Sequence, residues 1–409
     1  MKHKTENVYF LERGESLGEM ANTGISLHCH TLHSKELLEF VPYYAKRIPV
    51  ASYLWRRQMK RYADKNQSWP DFRSGYWEPP LSAHDVFGQE RASITGLCLE
   101  RAMISITDHD SINANLELRS TINRAVAPIS LEWTVPFENA FFHIGVHNLP
   151  CEEAKAITAD LLAYSHAVGA PDDRRLEELF ARLNEFPEVL IVLNHPIWDI
   201  EMIGQSAHES ALGRFMCSHA KWIHALEING FRSWNENQAV IELAAAARKP
   251  IISGGDRHCL QSNTMINITD ACSFDEFVSE VRNDSLSRIA VTPDYHAPLP
   301  SRQLRSIAQI LATHKQFDEG RRVWSDRVFL DYHDGKGLRS LTKHWQGRRP
   351  AWTYIAFFVL RVLAHQAFQP LIAVAVGDKD IGRNEKKINS SSFLEPTPAQ
   401  PGLSSVLKS

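Results

Sequence analysis

The sequence predicts an α/β protein built from parallel βα units. Between residues 24 and about 293, short apolar runs typical of strands alternate one at a time with segments of helical periodicity. Single strands separated by helices favour parallel pairing, as in an α/β barrel or a doubly wound sheet. No glycine-rich phosphate loop follows the first strand, which argues against a nucleotide-binding doubly wound sheet.

The predicted elements follow one another in a regular order. Each strand is a short run rich in apolar residues, and each helix repeats an apolar residue every three to four positions. The predicted strands cover residues 25–30, 102–107, 127–134, 141–146, 189–194, 225–229, 250–253 and 288–291. The predicted helices cover residues 83–100, 111–124, 151–166, 173–185, 234–247 and 274–283.

Composition divides the 409-residue chain into four predicted regions. Residues 1–23 are a polar lead-in, and residues 24–293 are the α/β domain with an insertion at about 40–80. Residues 294–383 are a basic, partly helical accessory region. Residues 384–409, which are rich in Ser and Pro, are predicted to be a disordered tail.

Two segments are strongly basic. Seven Lys and Arg lie among Tyr and Trp in residues 46–65, either on a solvated helix face or on a lid that attracts an anionic substrate. Residues 301–350 carry 11 Lys and Arg against 5 Asp and Glu. A nucleic-acid surface has this composition, but no nucleic-acid motif supports it, so we expect a helical segment that packs on the barrel.

The composition predicts a cytoplasmic protein. Net charge is −3, the first twenty residues lack an apolar export signal, and the six cysteines form no CxxC pair. We therefore expect reduced, mostly buried thiols. The most hydrophobic stretch, residues 351–376, is interrupted by charged and polar residues, so it predicts a buried or amphipathic helix and no transmembrane segment.

The most informative motif is His28-Cys29-His30, at the end of the first predicted strand. Because side chains alternate along a strand, the two histidines share one face and Cys29 lies on the other. Two neutral imidazoles on one face make half of a metal site.

Later segments place more metal-ligand residue types at or near strand ends. The C-terminal ends of parallel strands meet at one rim, so these side chains are expected to converge. Asp108 and Asp110 are predicted to orient imidazoles from outside the ligand set. The candidate ligands on these segments are His109, Glu132, His143, His195, Asp256 and His258.

Together these motifs resemble the PHP (polymerase and histidinol phosphatase) family of metal-dependent phosphoesterases. The resemblance covers about residues 24–293 and rests on HCHT at 28–31, TDHD at 107–110, HIG at 143–145, NHP at 194–196 and GDRH at 255–258. It implies a distorted (β/α)7, TIM-like barrel, here followed by a mainly helical C-terminal extension. It also implies two or three divalent ions, Zn, Mn or Fe, at the strand C-termini.

The resemblance assigns the metal ligands position by position. They are His28, His30, His109, Glu132, His143, His195, Asp256 and His258. Many relatives carry an Asp or His shortly after the first motif, where this chain has Lys35 and Glu36. Glu36 is the first candidate for that ligand, and His33 is the second. Without either of them, the cluster holds two ions. Lys35 could instead hold a phosphate oxygen.

The expected activity is hydrolysis of a phosphate mono- or diester by a metal-bound hydroxide. The expected substrate is a phosphorylated small molecule or a nucleotide. Arg257, between Asp256 and His258, is the candidate catalytic residue, as a phosphate clamp. Two alternatives remain: an amidohydrolase-type C–N hydrolase on a similar barrel, and a non-catalytic PHP module that binds a partner or an anion.

Overall fold

Strands and helices alternate in the computed structural model, which describes residues 7–38, 42, 49–66, 71–314 and 323–368. The α/β class predicted from the sequence is confirmed. The predicted tail, residues 384–409, lies outside the described residues.

The strands are short, and several are buried along their whole length. In chain order they are β1 (Val8–Phe10), β2 (Thr23–Cys29), β3 (Glu36–Leu37), β4 (Asp71–Trp77), β5 (Arg101–Ile106), β6 (Leu131–Phe137), β7 (Ala140–His147), β8 (Leu190–Leu193), β9 (Ala225–Asn229), β10 (Ile251–Gly254), β11 (Met265–Thr269), β12 (Ile289–Val291), β13 (Val328–Asp331) and β14 (Leu338–Ser340).

The α-helices of the described residues separate most of these strands. They are α1 (Pro49–Asn66), α2 (Ala83–Gly96), α3 (Asn113–Leu118), α4 (Ala154–Ser165), α5 (Asp173–Asn184), α6 (Gln205–His219), α7 (Trp234–Ala247), α8 (Phe274–Arg282), α9 (Leu299–Ile310), α10 (Leu341–His344) and α11 (Ala351–Leu363).

The strands form three sheets, with the orders β1-β12-β11-β2-β5, β10-β9-β8-β7-β6 and β14-β13-β4-β3. Pairing is parallel for β1 with β12, β2 with β5, β8 with β9 and β9 with β10. The other pairs are antiparallel, so the expectation of parallel units throughout is wrong. Strands β6 and β7 show the reason, because the two residues that join them are too few for a crossover helix.

The first two sheets meet at two isolated bridges. Cys29 of β2 pairs with Arg257, just beyond β10, and His109, just beyond β5, pairs with Glu132 of β6. The His30 amide also donates to the Arg257 carbonyl at 2.9 Å. These contacts are too local to make one continuous sheet, and the described strands form no closed barrel. They do bring the C-terminal ends of β2, β5 and β10 beside one another and beside β6.

Helix α5 illustrates how the helices cover the sheets. The Asp172 side chain caps its first turn by accepting from the backbone amides of Arg174 and Arg175. Apolar residues at helical spacing then face the core, and Phe180 contacts the buried Trp133 ring with a centroid separation of 5.6 Å. Burying each such side chain stabilises the fold by about 1.5–3 kcal/mol. The buried face consists of Leu176, Leu179, Phe180 and Leu183.

The third sheet joins the insertion to the region after residue 293. Strand β4 pairs with β3 on one side and with β13 on the other. Helix α1 packs on this sheet, where its Trp55 ring lies 5.3 Å from that of Phe72. Its basic residues Arg56, Arg57, Lys60 and Arg61 are exposed.

Two sequence expectations need correction. Residues 8–10 of the expected polar lead-in form β1, because Val8 is buried and the strand pairs with β12. The cysteines are free, but four of the six are exposed and only Cys29 and Cys259 are buried.

The hydrophobic stretch predicted at residues 351–376 begins with α11, most of whose apolar residues are exposed. Within the described part of the chain, no helix has the length and hydropathy needed to cross a membrane.

Candidate metal centre

His28 and His30 lie at the end of β2, where the backbone departs from a regular strand. The pairing of β2 with β5 shifts register between Ser26 and Cys29, and His28 has a left-handed φ of 64°. The two imidazole rings lie 5.1 Å apart. The Cys29 thiol lies on the opposite side, 3.6 Å from the Ser26 hydroxyl. The two histidines therefore point into the same space.

Glu132 of β6 lies at the centre of a cluster of imidazoles. Its carboxylate is fully buried, and Asn194 donates to Oε1 at 2.9 Å. Five histidines place a ring nitrogen within 3.4 Å of a Glu132 oxygen. The distances are 3.0 Å for His28, 3.2 Å for His143, 3.2 Å for His195, 3.4 Å for His30 and 3.4 Å for His109.

Two more carboxylates complete the cluster. Glu36 Oε2 lies 3.1 Å from His258 Nε2 and 3.3 Å from His109 Nε2. Asp256 Oδ1 lies 3.5 Å from His30 Nε2. The structure thus brings all nine predicted metal ligands together. It does not bring His33, which pairs with Glu117 at the surface.

The donor atoms fall into three overlapping groups that could each hold a metal ion. In each group, one ligand atom per residue can be chosen such that all lie within 4.8 Å of one another. Glu132 belongs to two groups, and so does His30. The groups are His28, His30 and Glu132; His30, Glu36 and His258; and His109, Glu132 and His143.

Several imidazole nitrogens of the cluster make no well-directed hydrogen bond, although two of them lie 3.2 and 3.4 Å from a Glu132 oxygen. They are buried His30 Nε2, His143 Nδ1 and His195 Nδ1. A buried polar atom without a partner costs about 1–3 kcal/mol. Coordination to a cation would satisfy such nitrogens, and a mixed set of imidazoles and carboxylates suits Zn, Mn or Fe. The residues present therefore fit a divalent metal centre.

The buried carboxylates are held ionised by their neighbours. Burial would raise the pKa of Glu132, but the surrounding histidines, His28 first, hold it well below its usual range. The pKa of Glu36 is also well below its usual range, because His258 and other histidines outweigh burial. So much buried negative charge requires cationic neighbours.

The imidazoles respond in opposite ways. Burial would lower the pKa of His109, but Glu36 and Glu132 raise it to about 10. Burial lowers the pKa of His195 to about 3, and Glu132 offsets this only in part. The cluster therefore contains both cationic and neutral imidazoles, and divalent ions can take over the counter-charge role of the cationic ones.

Backbone strain coincides with the cluster. His28, His195 and Asp256 have φ values of 64°, 27° and 51°, in the left-handed region that non-glycine residues rarely adopt. Each such residue costs on the order of 1–3 kcal/mol and persists only where the surrounding structure enforces it. Nine other non-glycine residues of the described chain share this conformation, so such strain accompanies the cluster without being confined to it.

Glu227 of β9 supports the cluster and escaped the sequence analysis. Its Oε1 accepts from His28 Nδ1 at 2.9 Å and from Asn229 Nδ2 at 2.8 Å. A Cβ at Gly254 would collide with this carboxylate, so only glycine fits there. Like Glu132, Glu227 is a glutamate inside an otherwise apolar predicted strand, and that signal could have found it.

The structure does not bring Arg257 to the cluster. The side chain is buried, and its guanidinium donates to Glu90, Gln89 and the Cys259 carbonyl. The backbone turns at Asp256, whose φ is 51°, and the Arg257 side chain lies with Glu90 on the side of β2 away from the cluster.

Asp108 and Asp110 accept hydrogen bonds from Thr31 and Thr134 and orient no imidazole. They fix the loops that carry their neighbours, and the expectation that they orient imidazoles is wrong.

Arg232 lies where Arg257 was expected. It follows β9, and its guanidinium carbon stacks 3.4 Å from the ring centroid of Trp198. Its NH2 lies 3.5 Å from Asp256 Oδ2, and its Nε is buried without a hydrogen-bond partner. No sequence motif marks this residue, because its position depends on the conformation of the loop before α7.

Comparisons with known proteins add little. No protein-family model and no curated protein matches this chain. Among solved structures, PsfC from Pseudomonas syringae has 16% identity and a TM-score of 0.35, with 52% of this chain and 83% of that chain covered. An amidohydrolase from Chromobacterium violaceum has 14% identity and a TM-score of 0.33, with 58% and 88% covered.

A third similar structure is a two-domain protein from Bacteroides vulgatus that contains a predicted PHP-like metal-dependent phosphoesterase. It has 10% identity and a TM-score of 0.33, with 63% of each chain covered. TM-scores this low establish no shared fold, so the proposals below rest on the residues of the cluster.

Proposed function

We propose that this chain is a metal-dependent phosphoesterase of the PHP type. Its two five-stranded sheets, joined at the Cys29 and His109 bridges, would form the wall of the distorted (β/α)7 barrel. The substrate is a phosphate mono- or diester of a small molecule or a nucleotide. The observation that carries the proposal is the set of three overlapping donor groups, whose buried imidazole nitrogens include two that make no well-directed hydrogen bond.

The donor groups favour three ions over two. Glu36 belongs to the same donor group as His30 and His258. This supports Glu36, and not His33, as the ligand that follows the first motif. Divalent ions held in these groups would polarise phosphoryl oxygens and ionise a water near neutral pH. Glu227 fixes the ring of His28, since a carboxylate that accepts from the second ring nitrogen sets the orientation of the imidazole.

Arg232 is the residue that holds the phosphate in this proposal. Its unpartnered Nε offers a charge-assisted hydrogen bond to a non-bridging phosphate oxygen. The Trp198 ring holds the planar guanidinium in place, and the proximity of Asp256 keeps it beside the metal ligands. A cation already in position when charge develops on the ester needs no reorganisation.

The test pairs elemental analysis with a substrate panel of nitrophenyl phosphate, bis-nitrophenyl phosphate and a nitroanilide amide. Wild type should hold two to three equivalents of metal and release nitrophenol only when metal is present. Glu132→Gln should lose metal and reduce hydrolysis by about 10³-fold or more, since metal ions supply several kcal/mol of transition-state stabilisation. Glu152→Gln, the same change on the exposed surface, is the matched control.

Three outcomes would contradict the proposal. Turnover of the amide and of neither ester would indicate a C–N hydrolase. A folded protein that holds no metal would indicate a binding module. Equal hydrolysis by wild type and Glu132→Gln would place the activity elsewhere.

A further inference from the structure

Helix α11 exposes apolar side chains that a helix of a globular domain normally buries. Its only charged residue is Arg361. The apolar and aromatic residues at least 40% exposed on it are Trp352, Tyr354, Ile355, Phe358, Val359 and Leu363.

The helix is nevertheless attached to the protein along one stripe. Thr353 is buried, and the Phe357 ring lies 4.9 Å from the ring of Trp324. Thr353 and Phe357 are four residues apart and so lie on the same side of the helix. The exposed residues lie on the remaining surface, and from Tyr354 to Leu363 they span about half of the circumference at 3.6 residues per turn.

The surrounding sequence is cationic and lacks carboxylates. Residues 335–377 contain no Asp or Glu. In the described part of this stretch, Lys343, Arg348 and Arg361 are exposed. Apolar side chains with Trp and Tyr beside unneutralised Lys and Arg are the chemistry that binds an anionic lipid surface.

We propose that α11 docks the protein on anionic membranes. Ile355 and Phe358 enter the boundary between headgroups and acyl chains, while Lys343 and Arg348 contact lipid phosphates. At 1.5 Å per residue the helix is about 20 Å long, short of a bilayer core of about 30 Å, so it lies in the plane of the interface. This inference is independent of the proposed phosphoesterase activity.

Two other occupants could cover the same surface. One is the apolar segment at residues 370–377 of this chain, which lies outside the described residues. The other is a second copy of α11. A lipid surface is favoured because it accommodates a convex half-cylinder of apolar side chains, and because its phosphates complement the net positive charge of residues 335–377.

The experiment is co-sedimentation of the full-length protein with vesicles of phosphatidylcholine alone or with 30% phosphatidylglycerol, together with light scattering in solution. Wild type should sediment with the anionic vesicles and less at high salt. Ile355→Asp with Phe358→Asp should abolish sedimentation. Lys343→Glu with Arg348→Glu should weaken it roughly tenfold or more, at about 1 kcal/mol per basic residue.

The matched control is Val168→Asp with Leu286→Asp, which places the same two charges at exposed apolar residues far from α11 in sequence. It should sediment like wild type, and thermal melting should show that all variants are folded. Failure of wild type to bind anionic vesicles would overturn the inference. So would a dimer that Ile355→Asp with Phe358→Asp dissociates, or binding lost in Leu371→Asp but retained in the α11 variant.

Discussion

Both sides of strand β2 contain buried charged groups, but the groups on the two sides are satisfied in different ways. On one side, His28 and His30 face the cluster, where buried imidazole nitrogens make no well-directed hydrogen bond. On the other side, Glu90 accepts from Ser26 Oγ at 2.7 Å and also from Arg257. Buried charge alone therefore does not mark a functional site. What distinguishes the two sides is that Glu90 and Arg257 neutralise each other directly, whereas the cluster gathers carboxylates and imidazoles into groups that could hold a metal ion.

Breaking the ion pair of Glu90 and Arg257 should have the largest effect on stability. Glu90→Ala leaves Arg257 buried without its carboxylate, which should lower the free energy of unfolding by about 3–5 kcal/mol. Urea denaturation measures this, and metal content per folded molecule should not change.

The double variant Glu90→Leu with Arg257→Met is the control. It removes both charges and should recover most of the lost stability while hydrolysis persists. If Arg257→Met abolished hydrolysis without lowering stability, Arg257 would be the phosphate clamp that the sequence suggested.

A smaller effect is expected at Glu227, whose carboxylate accepts from His28 Nδ1. Glu227→Gln keeps the size of the side chain but removes the charge that orients His28, so metal affinity should fall about 10- to 100-fold. Competition with a chromogenic chelator measures the affinity. Glu152→Gln, on the exposed surface, is the matched control, and equal affinities in the two variants would show that Glu227 does not support the metal centre.

The smallest effect concerns a half-buried histidine whose nitrogens are both satisfied. His224 Nδ1 accepts from the Ile191 amide and Nε2 donates to Asn184 Oδ1, each at 3.0 Å. Burial, helped by Arg282 and Lys249, lowers its pKa to about 3. The unfolded chain takes up this proton below about pH 6.5, so stability is full above that pH and is lost as pH falls toward 3.

Replacing His224 with Gln keeps an acceptor and a donor but removes the titration. Between pH 7 and pH 5 wild type should lose on the order of 1–2 kcal/mol more unfolding free energy than His224→Gln. Urea titrations at the two pH values measure the difference. Parallel losses would show that His224 is not held neutral.

The ligand cluster could be predicted because short motifs at or near strand ends carry it. The supporting residues could not. The placement of Arg232 depends on the stacking of its guanidinium on Trp198, and that of Arg257 depends on a bridge to Cys29. Both contacts join residues distant in sequence, so the local spacing of residues does not predict them.

The fold was predictable where hydropathy followed burial. Helix α6 escaped prediction because it buries His208 and His219, which a hydropathy pattern counts as polar. Strand β11 escaped because Asn267 interrupts its apolar run, although that amide is buried and pairs with the backbone of Ser253. A buried polar side chain thus interrupts the hydropathy pattern from which a helix or strand is predicted.

The third sheet has a consequence for how the protein is made. Glu36 lies on β3, a strand of two residues that pairs with β4, and β4 in turn pairs with β13. A short two-stranded ribbon is marginal in water, so this carboxylate is held firmly only once residues 328–331 have left the ribosome. The donor group of His30, Glu36 and His258 is therefore supported by a strand that is synthesised after all three of its members.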